Sequence, residues 1–101
     1  MTVMSERKIA GEIEAYITKS GSPNADWYVG IAAVPRERLF KEHSLHEKGD
    51  LWIYREAESA TSARKVEQYF IESLNTNGGG GGGGANTKYV YAYRKNSHTN
   101  P

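Results

Sequence analysis

Trp27-Tyr28-Val29-Gly30-Ile31-Ala32-Ala33 runs into Val34-Pro35-Arg36-Glu37-Arg38-Leu39, and this junction decides how the chain is read. Along the first part Trp27, Val29 and Ile31 share one face and Tyr28, Gly30 and Ala32 the other, the period-two pattern of a strand. Pro35 fits the first turn of a helix, where its missing N–H is one that a helix start leaves unpaired. That helix extends to about His46, and Val34 caps it poorly because it has no side-chain oxygen. Toward the N-terminus, Ile9, Ile13, Tyr16 and Ile17 form the stripe of a helix from Ser5 to Lys19, capped by Ser5. Residues Ser20 to Asn24 end it as a turn. Toward the C-terminus, Lys48-Gly49-Asp50 is a turn and Leu51 to Arg55 a second strand. A third helix starts near Ser59 or Thr61 and runs to about Leu74, and Lys88 to Lys95 is a last strand.

The order is therefore α-β-α-β-α-β. It implies an α/β (α+β) domain with a small, mostly antiparallel sheet of three strands flanked by helices. Residues 1–96 are expected to form this single domain, and 97–101 a polar tail that frays. The run Gly78 to Gly84 has no side chains to pack and a large ordering entropy, so it reads as a flexible loop. It lacks the Lys-Ser/Thr of a phosphate-binding P-loop.

At 101 residues the chain suits one domain with a modest core. No apolar run is long enough to span a bilayer and no leader pattern opens the chain. Without cysteine there is no disulfide scaffold and no thiolate zinc site. The expectation is a soluble, cytoplasmic protein without a membrane partner. Net charge is +1, so any nucleic-acid contact requires a local basic patch rather than bulk charge.

Glu67 is the residue that asks for a function. Ala63, Val66, Phe70 and Leu74 make one apolar stripe, and Glu67 projects from its middle. A carboxylate facing a core costs several kcal/mol, on the order of its desolvation, unless it is paired. The partner is an arginine, a metal ion or a cation brought by substrate; otherwise the stripe is wide and Glu67 lies at its wet edge.

Tyr28-Val29-Gly30, Arg38 ten residues after Tyr28, His43 one turn later and Glu67 on a following helix together resemble the GIY-YIG nuclease superfamily. The resemblance spans about residues 27–74. It implies an endonuclease that hydrolyses phosphodiester bonds in DNA with Mg²⁺ or Mn²⁺. In that reading Glu67 is the metal ligand and Arg38 stabilises phosphate charge. Tyr28, with His43, activates water, while Gly30 lets a backbone approach. The chain departs from the family at its start. Members open with a Gly-Ile-Tyr strand that pairs with the Tyr-Val-Gly strand; here Tyr16 stands ahead of Tyr28 after Glu14-Ala15, within a helical pattern. The first strand is thus expected to be replaced by a helix, with Tyr16 in the core. Asn75 and Asn77 lie near the position of the family's asparagine, outside its usual context. A catalytically inactive binding or interaction module with the same fold is the alternative.

Each of these residues also has a plain structural use. Tyr28 can be a strand aromatic, Arg38 can pair with Glu37, Glu42 or Glu67, and His43 can rim the core beside Leu39. Arg36 and Lys41 on the second helix and Tyr91 on the last strand are further candidates for binding nucleic acid. Tyr89, Tyr91 and Tyr93 share one face, where aromatic rings either stack on bases or populate a half-exposed edge strand.

Overall fold

A computed structural model describes residues 4–79 and 86–101. Seven elements matter for the site. They are α1 (Glu6–Ser20), β1 (Trp27–Ala32), α2 (Pro35–Glu37), β2 (Trp52–Glu56), α3 (Ala60–Ser73), β3 (Asn77–Gly78) and β4 (Tyr89–Arg94). A wide π-helical turn, Arg38–Glu42, continues α2. This is a small α+β domain.

The caps are those the sequence implies. The Ser5 hydroxyl accepts from the Lys8 backbone N–H and opens α1, and Ser59 accepts from the Ser62 N–H and opens α3. Val34 makes no side-chain cap. The second helix is shorter than expected, for the turn closes at His43 and Ser44 takes a left-handed conformation (φ 62°).

The sheet differs from expectation in two ways. It has four strands, in the order β2-β4-β1-β3, with β1–β4 and β4–β2 antiparallel and β1–β3 parallel. The added β3 is two residues long, too short to show alternation. It includes Gly78, the first residue of the glycine run, whose backbone comes so close to the Val29 carbonyl that a Cβ would collide with it. The rest of that run, Gly80 to Gly84, lies outside the described residues. Secondly, β4 is not an edge strand. It pairs with β1 on one side and β2 on the other, and Val90, Tyr91, Ala92 and Tyr93 are all buried. The place beside β1 expected for a substituting helix is taken by this strand.

Two cores lie on the two faces. On one, Ile9, Ile13 and Ile17 of α1 and Ala63, Val66 and Phe70 of α3 pack against Trp27, Val29, Ile31, Ile53, Val90 and Ala92. Tyr16 packs at this core, its ring edge-on to Trp27 at 5.8 Å, as expected. On the other face Leu39 and Leu45 meet Ala32, Tyr91 and Tyr93, with Tyr28, Trp52 and Tyr54 alongside. The alternation of β1 and β4 thus sends Trp27 and the aliphatic side chains to the helical pair and the tyrosines to the α2 side. Among the described residues no helix is long and apolar enough to cross a membrane.

Gly30 is where this sheet is tightest. It stands opposite Tyr91, and a Cβ on it would lie 2.5 Å from the Tyr91 hydroxyl oxygen. Gly30→Val is therefore expected to destabilise the fold by roughly 1–3 kcal/mol, the range for overpacking. Gly11, on an exposed part of α1 with nothing near its missing Cβ, behaves oppositely. Gly11→Ala should stabilise by roughly 0.5–1 kcal/mol. Urea unfolding of both variants checks the pair, and a Gly30→Val protein as stable as wild type contradicts the packing described.

Candidate functional site

The tyrosine face of the sheet converges on His43. Its Nε2 lies 2.7 Å from the Tyr91 hydroxyl and its Nδ1 lies 2.8 Å from the Asn100 carbonyl oxygen. A carbonyl only accepts, so Nδ1 carries the proton and Nε2 offers a lone pair to the Tyr91 O–H. The Tyr93 hydroxyl stands 3.1 Å from Nδ1, where its oxygen shares that N–H. The His43 ring sits 4.8 Å from both Tyr28 and Tyr93, and Tyr28 stacks on Tyr93 at 5.3 Å and on Tyr91 at 6.3 Å. Four rings from β1, β4 and the end of α2 thus form one block.

Local sequence explains the placement. Tyr28 and Gly30 lie on the same face of β1, and Gly30 leaves the room that the Tyr91 ring fills. The sequence had offered that space to an approaching substrate backbone. The short, wide turn after Arg38 brings His43 over the sheet, its N–H donating to the Arg38 carbonyl. The C-terminal tail, expected to fray, folds back instead, and the Asn100 N–H donates to the His43 carbonyl at 2.7 Å.

Charge enters from both sides. The Arg38 guanidinium pairs with Glu42, one turn on, at 3.1 Å. It also lies within electrostatic reach of Tyr28, Tyr91 and His43. Glu67 is 5% exposed, and its Oε2 has no hydrogen-bond partner among the described residues. Of the readings open in the sequence, the wet edge and the ion pair with Arg38 are not what is seen. Its charge is felt through space at Tyr28 and Tyr91, as is that of Arg38.

The titration directions follow. Burial pushes Glu67 above the usual carboxylate range, with Arg64 opposing. Burial, followed by the Glu67 charge, raises Tyr28 above the ordinary phenol value, and Arg38 opposes. Burial and the neighbouring phenol of Tyr28 raise Tyr91, and burial with Tyr28 and Tyr91 raises Tyr93. His43 is lowered by burial and by Arg38, against the pull of the Asn100 carbonyl and Glu42. At neutral pH the phenols are protonated donors and His43 is a neutral acceptor.

Other expected residues stay apart. Arg36 pairs with Glu47 at 2.7 Å and lies over the Phe40 and Trp52 rings at 5.1 and 5.9 Å. Lys41 is exposed beyond Arg38 and makes none of the contacts above. Tyr91, proposed for base stacking, is 0% exposed and works through its hydroxyl. Tyr93, read with Tyr89 and Tyr91 as a base-stacking face or a half-exposed edge, is buried against His43, and Asn100 was missed. The alternation of tyrosines in β4 was visible, but their burial depends on a strand order that no local pattern shows. No family model, curated protein or solved structure matches the chain.

Two measurements check this site. The His43 ring should titrate below the ordinary histidine value of 6.5, with the proton on Nδ1 in the neutral form; ¹⁵N–¹H spectra of the imidazole read both. A value above 6.5 contradicts the burial. Glu67→Met should unfold at a higher temperature than wild type at pH 7, since it removes a buried carboxylate whose Oε2 is paired by none of the described residues. The sign is fixed by linkage. A carboxyl raised in the folded state binds more protons folded than unfolded above the unfolded value of 4.5. Its penalty is absent below that pH and grows as pH rises through the folded value. The advantage of Glu67→Met should therefore be larger at pH 7 than at pH 4, and equal advantages sink the assignment.

Proposed function

We propose that this domain is a GIY-YIG-like endonuclease that hydrolyses phosphodiester bonds in DNA with a divalent cation. The observation that carries the reading is Glu67, a carboxylate buried in the core stripe whose Oε2 has no hydrogen-bond partner among the described residues and whose charge is felt at Tyr28 and Tyr91. Strand order adds support. The family's Gly-Ile-Tyr strand pairs with the Tyr-Val-Gly strand and precedes it; here β4 pairs antiparallel with β1 and follows it. Tyr91 then takes the part of the first-motif tyrosine, and no replacing helix is needed.

The orphaned Glu67 oxygen suits a single-carboxylate site for Mg²⁺ or Mn²⁺. Such a cation, when bound, neutralises phosphate oxygens and assists departure of the leaving oxygen. The rest falls to the chain's own groups. Arg38 presents a planar fork of donors to the phosphate as negative charge develops. The Nε2 lone pair of His43 draws on the Tyr91 O–H, so Tyr91 can accept a proton from an attacking water as it passes its own to His43. Tyr28, protonated and stacked beside them, orients the water or the phosphate.

A second reading, a binding module without turnover, is favoured by the same burial. Tyr91 is closed to solvent and Glu67 nearly so, and the net charge of +1 gives little long-range attraction to DNA. Incubation with labelled linear and branched DNA and Mn²⁺ separates the two. The nuclease reading expects cleavage that disappears in Glu67→Gln and falls about 100-fold or more in Arg38→Ala, the order for loss of one transition-state donor. Binding that weakens steeply with salt, without cleavage on any substrate, overturns it in favour of the module.

A further inference from the structure

We propose that His46, Asp50 and His98 form a separate, zinc-type cation site that clamps the C-terminal tail onto the loop after α2. The inference does not rest on the nuclease reading. Each of the three residues offers one ligand atom, and these atoms all lie within 4.8 Å of one another. Two imidazoles with one carboxylate are a nitrogen and oxygen set that suits Zn²⁺ and leaves a fourth position open.

The carboxylate is held as a ligand would be. Asp50 has a side chain 6% exposed, so it is built into the fold rather than waving in solvent. Its Oδ2 accepts from the His46 backbone N–H at 2.6 Å and lies 2.6 Å from His98 Nε2. Its Oδ1 accepts from the Asn96 amide at 2.7 Å. Outer partners of this kind fix a ligand's orientation around a metal. The two imidazole rings stack, with centroids 4.1 Å apart and planes 10° off parallel, so both ligand edges occupy one small region.

The site would join two parts of the chain that are distant in sequence. His46 and Asp50 flank the turn at Gly49, whereas His98 belongs to the tail. That same tail places the Asn100 carbonyl on His43 Nδ1 and the Asn100 N–H on the His43 carbonyl. Holding His98 therefore holds the group that sets the His43 tautomer. The clamp positions His43 from outside the ring block.

The test uses metal-stripped full-length protein titrated with Zn²⁺ by calorimetry and with Co²⁺ by visible absorption. One equivalent should bind, and amide exchange at Asn100 should slow on binding. His98→Ala and Asp50→Asn should abolish that binding, and Asn96→Ala should weaken it about 10-fold, the lower end for an outer partner. Glu67→Gln should leave Zn²⁺ affinity unchanged. His98 sits in the tail, outside both cores, so its variant is expected to fold. No saturable binding, or binding that survives His98→Ala, overturns the site. Binding lost in Glu67→Gln instead also overturns it. Saturation with no change in Asn100 exchange overturns the clamp.

Discussion

The Tyr91 phenol laid across Gly30 is the contact on which the rest depends. It can form only because β1 lacks a side chain at that point and β4 lies directly alongside. The ring closes one face of the sheet, and its hydroxyl reaches His43 Nε2. That bond is made in a buried, low-dielectric place, where leaving either partner unpaired costs about 1–3 kcal/mol. A single cross-strand pair therefore ties the packing of the sheet to the ionisation of the candidate base.

Around this contact the molecule keeps its two cores chemically distinct. The helical pair α1 and α3 covers aliphatic side chains with Trp27 and Phe70, and the α2 side covers the tyrosines with Leu39 and Leu45. Glu67 is the exception, a charge on a helix that otherwise faces the aliphatic core. Its burial, with Oε2 paired by none of the described residues, lowers stability. Burial raises the phenols and lowers the imidazole, so at neutral pH the Tyr91 O–H stays on its oxygen and donates to a neutral His43.

Much of this was legible in the chain. Alternation marked β1, Ser5 marked the start of α1, and Ser59 was one of two starts open for α3; stripe position singled out Glu67 but left its burial open against a wet edge. Tyr28, Arg38 and His43 were singled out by the resemblance, and Tyr28 and His43 do lie ring to ring. What local pattern could not give was strand order. Nothing in Tyr89 to Arg94 says that it pairs on both edges, so Tyr91 and Tyr93 were assigned to a half-exposed face. Asn100 was hidden for a similar reason, since a polar tail carries no periodicity and its role comes through a backbone carbonyl. The two-residue β3 lay below the length at which alternation is visible.

The most direct measurement is paramagnetic broadening by Mn²⁺ in the full-length protein, followed residue by residue. The account predicts that low Mn²⁺ broadens Glu67, Tyr28 and Tyr91 and that Glu67→Gln removes the effect. Broadening confined to other parts of the chain, or none at millimolar ion (roughly a thousandfold above a micromolar dissociation constant), would contradict the cation role given to Glu67.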